Sequence, residues 1–382
     1  YFLIQKQPNI GNHIYFDNLS DNNISTNSNK HNILNWYLRW KNRNIEISSI
    51  CHNARDTTNF KLGEVDVVRT DGLPRLRSFA LIQYIFNFLY TTIYSFLCML
   101  FKPTYGLFLD DSIKLKRFDL ANGNDLARDY LFHNSSPYYR PIWTYVAQDK
   151  GSRVLFYFYS THTDYFYRNC IVNSKIKSDC SSGLPLNLMS WPYYLVWDKF
   201  HKNFIKHHVE NNPKIENVGH IWFSSSDKIE NVKFSSNSIA VFDVIPVRPY
   251  QHITLGMTYE YYIYEISEQF LSDIQLALND NNFQMLHKMK RVYKFPHKKY
   301  MQKINSLDQN SNYITLDPNL DATQVIRNSI ACISMPFTST ALIAKLEGKP
   351  SVYYDPSGMI QKDEKETHGI QVLRGFIELE QW

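Results

Sequence analysis

The sequence predicts an α/β protein with parallel sheets, and two of its features support that class. Across the C-terminal half, short apolar or β-branched runs alternate with helix-forming segments at a regular spacing, which is typical of strands joined by crossover helices. The chain has 382 residues, 44% of them apolar, and is therefore long enough for two domains with packed cores. No internal repeat of fixed period interrupts the alternation.

The N-terminal domain is predicted to span residues 1–210 and has the less regular pattern. Residues 1–35 are polar and rich in Asn and Ser, so we expect mostly loop there, and residues 160–192 are also predicted as loop. Apolar and aromatic runs predict strands at Ile14–Phe16, Ile45–Ile50, Glu64–Val68, Arg153–Tyr159 and Tyr193–Trp197. Helices are predicted at Trp36–Trp40, Ala127–Phe132, Trp143–Asp149 and Lys199–Val209.

A long apolar helix is predicted at residues 79–101, a stretch without a charged side chain that Arg75 and Arg77 precede and Lys102 follows. Its length matches a membrane span. Polar residues recur about every four positions and would form a stripe along the helix. These residues are Gln83, Asn87, Thr91, Thr92 and Ser95. The stripe favours a helix that lies on a membrane surface or is partly buried; a plain core helix and a membrane span are the alternatives.

The C-terminal domain is predicted to span residues 211–382, after the Asn-Asn-Pro break at its start. Strands are predicted at His220–Phe223, Ile239–Val244, Gln284–Lys288, Tyr313–Thr315, Ile330–Ile333 and Val352–Tyr354. Helices are predicted at Glu265–Leu278, His297–Ile304, Ala322–Arg327 and Thr338–Glu347. Open α/β sheets bind ligands beyond the carboxyl ends of their strands, so the residues after these strands are the candidates for a functional site.

The stretch Ile330–Tyr354 predicts a buried strand, a hydroxyl-rich turn, a helix and a second strand. Pro336 ends the first strand, and Gly348 and Pro350 end the helix. The hydroxyl-bearing residues around the helix start are Ser334, Thr338, Ser339 and Thr340. With the free N–H groups of the helix they would suit a phosphate. The alternative is an ordinary helix cap without a ligand, but three successive hydroxyls exceed what capping requires.

Asp243 stands at the end of the predicted strand Ile239–Val244. A carboxylate beside a ligand crevice can act as general base on a sugar hydroxyl. Arg248 follows within reach, and the alternative is that Asp243 caps a turn or pairs with that arginine. Both roles stay open from the sequence, since perturbed acids mark both kinds of site.

A basic segment, residues 288–300, carries seven basic side chains when His297 is included. Such a cluster at a strand end suits a nucleotide phosphate or an acidic sugar, and Lys290 and Arg291 are the predicted ligands. His297 stands at a predicted helix start, where it could stabilise or protonate a departing phosphate. The two lysines that follow His297 fit the alternative, a solvated charged face.

Other patterns exclude several kinds of protein. The net charge of +5 is too mild to predict a nucleic-acid partner. Five cysteines without close-set pairs argue against a disulfide framework and for a reducing compartment, and no Cys/His spacing of a zinc site occurs. The glycine-rich dinucleotide and phosphate-loop motifs and the nucleophile elbow are also missing. Asp110-Asp111 lacks the spacing of a metal-binding DxD and is predicted to lie in a loop.

With these residues in view, the chain resembles a bacterial surface-polysaccharide biosynthesis family named for its Pro-Phe-Thr-Ser motif, here residues 336–339. The resemblance covers residues 127–382, and the hydrophobic helix before them is also similar. It includes the segments Tyr139-Arg-Pro-Ile-Trp-Thr-Tyr, Gly151-Ser-Arg-Val-Leu-Phe-Tyr-Phe-Tyr-Ser-Thr, Gly219-His-Ile-Trp-Phe, Phe242-Asp-Val-Ile-Pro and Val352-Tyr-Tyr-Asp-Pro-Ser-Gly. One departure is Lys288-Met-Lys-Arg, where Lys-Pro-Lys-Arg would be expected.

That family is similar to GT-B glycosyltransferases that use CMP-activated acidic sugars, such as the Kdo and sialic-acid transferases of capsule and lipopolysaccharide synthesis. The resemblance implies a GT-B-like fold of two Rossmann-like domains facing a cleft, with the donor nucleotide on the C-terminal one and neither metal nor cofactor. It also implies an inverting displacement. Asp243 would deprotonate the acceptor hydroxyl, while His297 and hydroxyl groups would stabilise the phosphate leaving group.

The expected function is the transfer of an acidic 2-keto sugar from a CMP donor to a glycan or lipid-linked glycan, by a cytoplasmic enzyme peripheral to the inner membrane. A UDP- or GDP-hexose transferase is one alternative. A non-catalytic protein of envelope assembly that binds a nucleotide or glycan is the other. For the first reading, we expect Asp243→Ala and His297→Ala each to abolish transfer without unfolding the protein.

Overall fold

The computed structural model of the protein describes residues 12–19, 24, 33–41, 47–55, 57–133, 139–158, 168–172, 175–179, 189–209, 211–221, 234–246, 261–289, 296–318, 320–360, 362 and 367–382. The chain divides into two compact units. The N-terminal unit comprises Tyr1–Ser160 and Gly183–Asp227, and the C-terminal unit comprises Thr161–Ser182 and Lys228–Trp382. The boundary between the units therefore lies beyond residues 211–213, where the sequence predicted it. In addition, Thr161–Ser182 belongs to the C-terminal unit although it stands within the N-terminal half of the sequence.

The N-terminal unit is built on an eight-stranded sheet that is parallel except at one edge. The first ten strands of the chain are β1 (His13–Phe16), β2 (Ser49–His52), β3 (Phe60–Leu62), β4 (Val65–Arg69), β5 (Asp129–His133), β6 (Arg153–Tyr157), β7 (Arg168–Val172), β8 (Lys175–Asp179), β9 (Tyr193–Val196) and β10 (Lys214–Asn217). The strand order is β10-β9-β6-β5-β1-β2-β4-β3, so the chain order reverses between β1 and β5. The strands β7 and β8 form a separate antiparallel hairpin in the excursion that belongs to the C-terminal unit.

Five helices accompany these strands: α1 (Ile33–Lys41), α2 (Ser78–Met99), α3 (Leu107–Leu120), α4 (Trp143–Asp149) and α5 (Lys199–His208). Aromatic packing joins α3 and α4 to the sheet. The ring of Trp143 stacks on Phe118 with centroids 4.3 Å apart and meets Tyr130 of β5 edge-on at 5.2 Å. Because all three rings are buried, the high aromatic content of the chain serves this core directly.

Several predictions for this half are wrong, and the reasons are local. The predicted helix Ala127–Phe132 is instead the strand β5, whose five residues are all buried between β1 and β6. A short apolar run does not reveal by its period whether it is a strand or a buried helix. The region 160–192, predicted as loop, contains the hairpin β7–β8. Asp110 and Asp111 lie in α3 and not in a loop.

The C-terminal unit is built on a six-stranded sheet in which every pair is parallel. Its strands are β11 (Ser238–Phe242), β12 (Gln284–Lys288), β13 (Tyr313–Leu316), β14 (Ala331–Ser334), β15 (Ser351–Asp355) and β16 (Gln371–Arg374). Its helices are α6 (Tyr264–Asp280), α7 (Lys298–Leu307), α8 (Ala322–Arg327), α9 (Ser339–Leu346) and α10 (Gly375–Gln381). The order β13-β12-β11-β14-β15-β16 is that of a Rossmann fold, with the chain order reversing between β11 and β14.

The structure confirms the predicted α/β class, with two domains on parallel sheets, and it confirms the alternation in the C-terminal half. Strand β12 and helix α8 have the predicted bounds, and the other predicted elements after residue 238 agree to within a few residues. The predicted strand at His220–Phe223 is wrong where it is described, because residues 220 and 221 are not in a strand. The sequence also missed β10 just before it and the final pair β16–α10.

Candidate functional site

The candidate site lies at the carboxyl end of β11 and β14, where the strand order of the C-terminal unit reverses. Residue Phe242 pairs with Ser334 in the ladder, and the N–H of Met335 donates to the carbonyl of Phe242 at 2.8 Å. The loops that leave the two strands therefore begin side by side. A crevice opens at this point of a doubly wound sheet because the helices after the two strands pack on opposite faces.

The turn after β14 holds an unusual backbone conformation. Phe337 has a φ of 62°, which is strained for a bulky side chain, yet its ring is buried against Tyr353 at 5.8 Å. Two tyrosine hydroxyls fix the turn from outside: Tyr262 donates to the carbonyl of Pro336 at 3.0 Å and Tyr353 donates to that of Thr338 at 3.1 Å. The surrounding structure thus holds this turn in one shape.

The hydroxyl groups of the predicted phosphate site are brought together by the same turn. Ser334 Oγ lies 2.8 Å from Thr340 Oγ1, which in turn lies 3.2 Å from Thr338 Oγ1. Thr338 is the N-cap residue of α9, but its hydroxyl donates to the Met335 carbonyl at 2.8 Å and makes no cap bond. In the described part of the chain, the N-cap side chain therefore leaves the N–H groups in the first turn of α9 uncapped, which suits them for an anion.

Beneath these hydroxyls, Cys332 is buried, with its sulfur 3.5 Å from Ser334 Oγ. Burial raises the pKa of this thiol to about 12, and the hydrogen bond with Ser334 opposes the rise only in part. The thiol is protonated at neutral pH, so it is not the nucleophile of this site.

Asp243 follows β11 directly and is almost completely enclosed, with 1% of its surface exposed. The hydroxyl of Tyr300 donates to its Oδ2 at 2.5 Å. His287 Nε2 lies 3.2 Å from its Oδ1, in ion-pair range though not aligned as a hydrogen bond, and His287 Nδ1 lies 2.6 Å from the hydroxyl of Tyr313. The pKa of Tyr300 is raised well above its usual value, first by burial and then by the charge of Asp243. The carboxylate thus belongs to a buried polar chain through α7, β12 and β13.

His297 immediately precedes α7 as its N-cap residue. Its N–H donates to the carbonyl of Pro246 at 3.3 Å, which ties the helix start to the loop after β11. The imidazole stacks on Tyr264 with centroids 4.9 Å apart and planes at 17°. Within the described residues its buried Nδ1 has no hydrogen-bond partner, so a proton-accepting or proton-donating nitrogen is available at this edge.

The start of α6 connects the loops of the site. Tyr262 binds the turn after β14 and Tyr264 stacks on His297, while Tyr261 donates to Asp355 Oδ1 at 2.8 Å after β15. The segment 261–264 therefore contacts both the loop of His297 and the loop of Thr338. The loop of Asp243 is joined to His297 through the carbonyl of Pro246. These tyrosines were missed from the sequence, although the aromatic run at 259–264 was a visible signal.

Asp355 was quoted only as part of a family segment and proves to be structural. Its carboxylate is fully buried and accepts from Tyr261, from the N–H and the hydroxyl of Ser357 at 3.0 and 2.6 Å, and from the N–H of Ile360 at 2.8 Å. These bonds fold the Asp-Pro-Ser-Gly turn against α6. With its lone pairs occupied, this carboxylate acts as an anchor of the turn.

Two predicted ligands, Lys290 and Arg291, lie outside the described residues, as does Arg248, the alternative partner of Asp243. Lys288, at the start of the basic segment, is buried and donates to the carbonyl of Pro318 at 3.0 Å, so it supports the neighbouring loop. Among the residues that the structure describes, no cluster of His, Cys, Asp and Glu could hold a metal ion.

The N-terminal unit has polar residues at the equivalent point of its own sheet, after β1 and β5. The N–H of Asp17 donates to the Leu131 carbonyl at 2.9 Å, and His133 Nε2 lies 2.9 Å from the carbonyl of Asn18, whose φ is 54°. Burial raises the pKa of Asp17 from 3.8 to about 6, against the opposing influence of Lys114 and of a hydrogen bond from Tyr15.

This shift predicts how stability varies with pH. Between the two pKa values the folded state binds more protons at Asp17 than the unfolded state, so the free energy of unfolding falls as the pH rises from about 4 to about 6. The loss is at most about 3 kcal/mol. We expect Asp17→Asn to raise the melting temperature at about pH 8 and to change it little at about pH 4. Asp66→Asn, on an exposed carboxylate of β4, is the control; equal effects of Asp17→Asn at both pH values would contradict the assignment.

The family of the chain follows from a comparison with family models. Residues 88–382, more than half of the chain, match the model described as polysaccharide biosynthesis PFTS motif protein. The chain belongs to this family. Its Pro-Phe-Thr-Ser motif, residues 336–339, is the strained turn and helix start at the point where the strand order reverses. The predicted family is thereby confirmed, and it is a family of polysaccharide biosynthesis.

Solved structures offer more distant likenesses. The wall teichoic acid polymerase TagF, as an H444N variant, is 12% identical with a TM-score of 0.42, covering 90% of this chain and 71% of its own. MnaA of S. aureus with UDP is 8% identical with a TM-score of 0.44, covering 97% and 86%. UGT2 of Phytolacca americana with UDP-2fluoro-glucose and pterostilbene is 11% identical with a TM-score of 0.43, covering 95% and 85%. No curated protein matches the chain.

Proposed function

We propose that this chain is an inverting, metal-independent glycosyltransferase that moves an acidic 2-keto sugar from a CMP donor to a glycan or lipid-linked glycan. The observation that carries the proposal is the uncapped start of α9 beside three hydroxyl groups, at the crevice of a Rossmann-type sheet. Such a site binds the phosphate of a nucleotide through N–H groups and the helix dipole. Membership in a polysaccharide biosynthesis family makes a nucleotide sugar the expected ligand.

In the proposed reaction the acceptor oxygen attacks the anomeric carbon and the bond from that carbon to the phosphate oxygen breaks. CMP leaves with the electron pair, and the acceptor hydroxyl loses its proton to a base. His297 would stabilise or protonate the departing phosphate. Asp243 is the predicted base, and for that role its contact with Tyr300 or His287 would have to open when substrate binds, because 1% exposure leaves no free carboxylate surface.

The acidic donor is supported by the basic segment 288–300, which supplies more cations than a nucleotide monophosphate requires. A UDP- or GDP-hexose donor carries as many negative charges, both of them on its diphosphate, so the nucleotide titration described below decides between the donors. A non-catalytic nucleotide-binding protein of envelope assembly would need the same anion site but not His297.

The donor site is tested by placing a carboxylate at the start of α9. We expect isothermal titration calorimetry to show that the unchanged protein binds CMP more tightly than UDP or GDP. Ser339→Glu should weaken CMP binding by about 10- to 100-fold, because one negative charge then faces the phosphate at close range. The same substitution should not lower the melting temperature, since an acidic residue in the first turn of a helix is favourable.

Ala322→Glu is the matched control, because it puts the same charge at the first position of α8, after the edge strand β13. It should leave CMP affinity unchanged. Tighter binding of UDP or GDP than of CMP would show that the donor is a UDP- or GDP-hexose and not a CMP-linked sugar. Absence of binding to all three nucleotides, or equal affinity of Ser339→Glu and the unchanged protein, would refute the site.

A further inference from the structure

A large exposed apolar surface covers α2 and the turn that follows it. Of the twenty-five large hydrophobic side chains that are exposed in the described part of the protein, sixteen lie between Phe79 and Phe108. They include Phe86, 69% exposed, and Phe101, 87% exposed. By length and composition α2 could cross a membrane. Soluble monomers rarely expose so much contiguous apolar surface unless another apolar phase covers it. We call these exposed side chains the α2 surface.

The orientation of α2 is the reverse of that of a helix on a water-soluble protein. Its polar residues Asn87 and Thr91 are half-buried and Ser95 is buried, on the side that packs against α3. The aromatic and aliphatic residues point away from the protein. A helix solvated by water would bury its apolar side and expose the polar stripe. Of the predicted stripe, Asn87, Thr91 and Ser95 therefore face the protein, whereas Gln83 is exposed.

Positive charges flank this surface. Between residues 75 and 102 the basic residues are Arg75, Arg77 and Lys102, and no acidic residue occurs. The side chain of Arg77 is 64% exposed, although one of its nitrogens also lies 3.4 Å from Asp125. Tyr90 and Tyr94 stack on the same helix at 6.0 Å. An apolar surface with interfacial aromatics and cations at both ends complements the acyl chains and head groups of an anionic bilayer.

The helix α3 decides between lying on a bilayer and crossing it. It packs back along α2, since Arg117 lies over the ring of Tyr84 at 5.7 Å while Met99 meets Gly106 at the other end. This helix carries ion pairs such as Lys114–Asp110 at 2.6 Å. If α2 crossed the bilayer, these charges would stand at the depth of the hydrocarbon, which is costly.

We propose that the α2 surface binds one leaflet of an anionic lipid bilayer, with α2 lying in the membrane plane and α3 on its protein side. This proposal does not depend on the reaction that the C-terminal unit performs. It would place the protein where a lipid-linked substrate is accessible.

The test is co-sedimentation of the full chain with vesicles. The unchanged protein should sediment with vesicles of phosphatidylethanolamine and phosphatidylglycerol and less with phosphatidylcholine alone. Phe86→Asp should lower the partition by about tenfold or more, because it puts a charge among the acyl chains. Ile377→Asp, at an equally exposed position on α10 (69% for both residues), should have no effect. Melting temperatures of both variants verify that they fold.

No sedimentation with any vesicle, or equal binding of Phe86→Asp and the unchanged protein, would refute the proposal. If the unchanged protein is a dimer that does not bind vesicles, and Phe86→Asp makes it dissociate, a second copy of the chain covers the α2 surface. The in-plane orientation has its own readout. Arg75→Cys and Thr104→Cys, each in a background with Cys98, Cys170 and Cys180 replaced by serine, should both react with a membrane-impermeant maleimide added outside intact vesicles. Protection of one end alone would mean that α2 crosses the membrane.

Discussion

Replacing His297 by alanine is expected to slow sugar transfer by about a hundredfold to ten-thousandfold, with little change in the affinity for CMP. The imidazole sits at the start of α7, joined through its backbone to the loop after β11 and stacked on Tyr264. Its interaction with the phosphate grows as charge develops on the leaving oxygen, so the loss falls on the rate and not on ground-state binding. Stability should change little, because the ring is only half-buried.

Two variants sharpen this experiment. His297→Gln retains a hydrogen-bond donor but cannot transfer a proton to the leaving phosphate, so it should recover only part of the rate. Lys298→Ala, on the exposed next residue of α7, should transfer sugar at the unchanged rate. If His297→Ala raised the dissociation constant for CMP and left the maximal rate intact, the histidine would be a binding residue only. Full turnover by His297→Ala would show that His297 has no role in the reaction.

The parallel order of the C-terminal unit was predictable because each strand is a short apolar run between turn signals. Strand β12 has the predicted bounds, and β11 and β14 are shifted by one residue at their starts. In such a sheet ligands bind beyond the carboxyl ends of the strands, so Asp243 and Thr338 could be proposed as site residues without a structure. The prediction for β5 was wrong because its apolar run is equally compatible with a buried helix. Only the pairing with β1 and β6 makes this segment a strand.

The surroundings of the site residues could not be predicted, because they depend on contacts between distant parts of the chain. Tyr300 and Asp243 are 57 residues apart, and Tyr262 reaches a carbonyl 74 residues away. The sequence shows that Asp243 ends a strand, but not that a tyrosine and a histidine from two other elements enclose it. The orientation of α2 was hidden for the same reason, since a polar stripe does not state whether it faces water or α3.

Replacing Asp243 by alanine is expected to destabilise the C-terminal unit by about 3–5 kcal/mol, which changes the earlier expectation that this variant stays folded. The carboxylate is 1% exposed, accepts the Tyr300 hydroxyl and lies 3.2 Å from His287 Nε2. Alanine would leave the Tyr300 hydroxyl buried without its acceptor, at the full cost of desolvation, and would remove the carboxylate beside His287. Chemical denaturation of the full chain measures the loss, and Glu380→Ala, on an exposed acid of α10, should stay within about 0.5 kcal/mol.

Asp243→Asn separates the two roles of this residue. The amide oxygen still accepts from Tyr300, so the variant should be more stable than Asp243→Ala, but an amide cannot take a proton from an acceptor hydroxyl. If Asp243 only positions Tyr300 and His287, Asp243→Asn should keep measurable transfer, and Tyr300→Phe should lower stability and rate together. If Asp243→Asn folds with nearly unchanged stability but does not transfer sugar, the carboxylate is the base and the buried chain opens when the acceptor binds. The enclosure of Asp243 by Tyr300 and His287 favours the first outcome, because a base must reach the acceptor hydroxyl within hydrogen-bond distance.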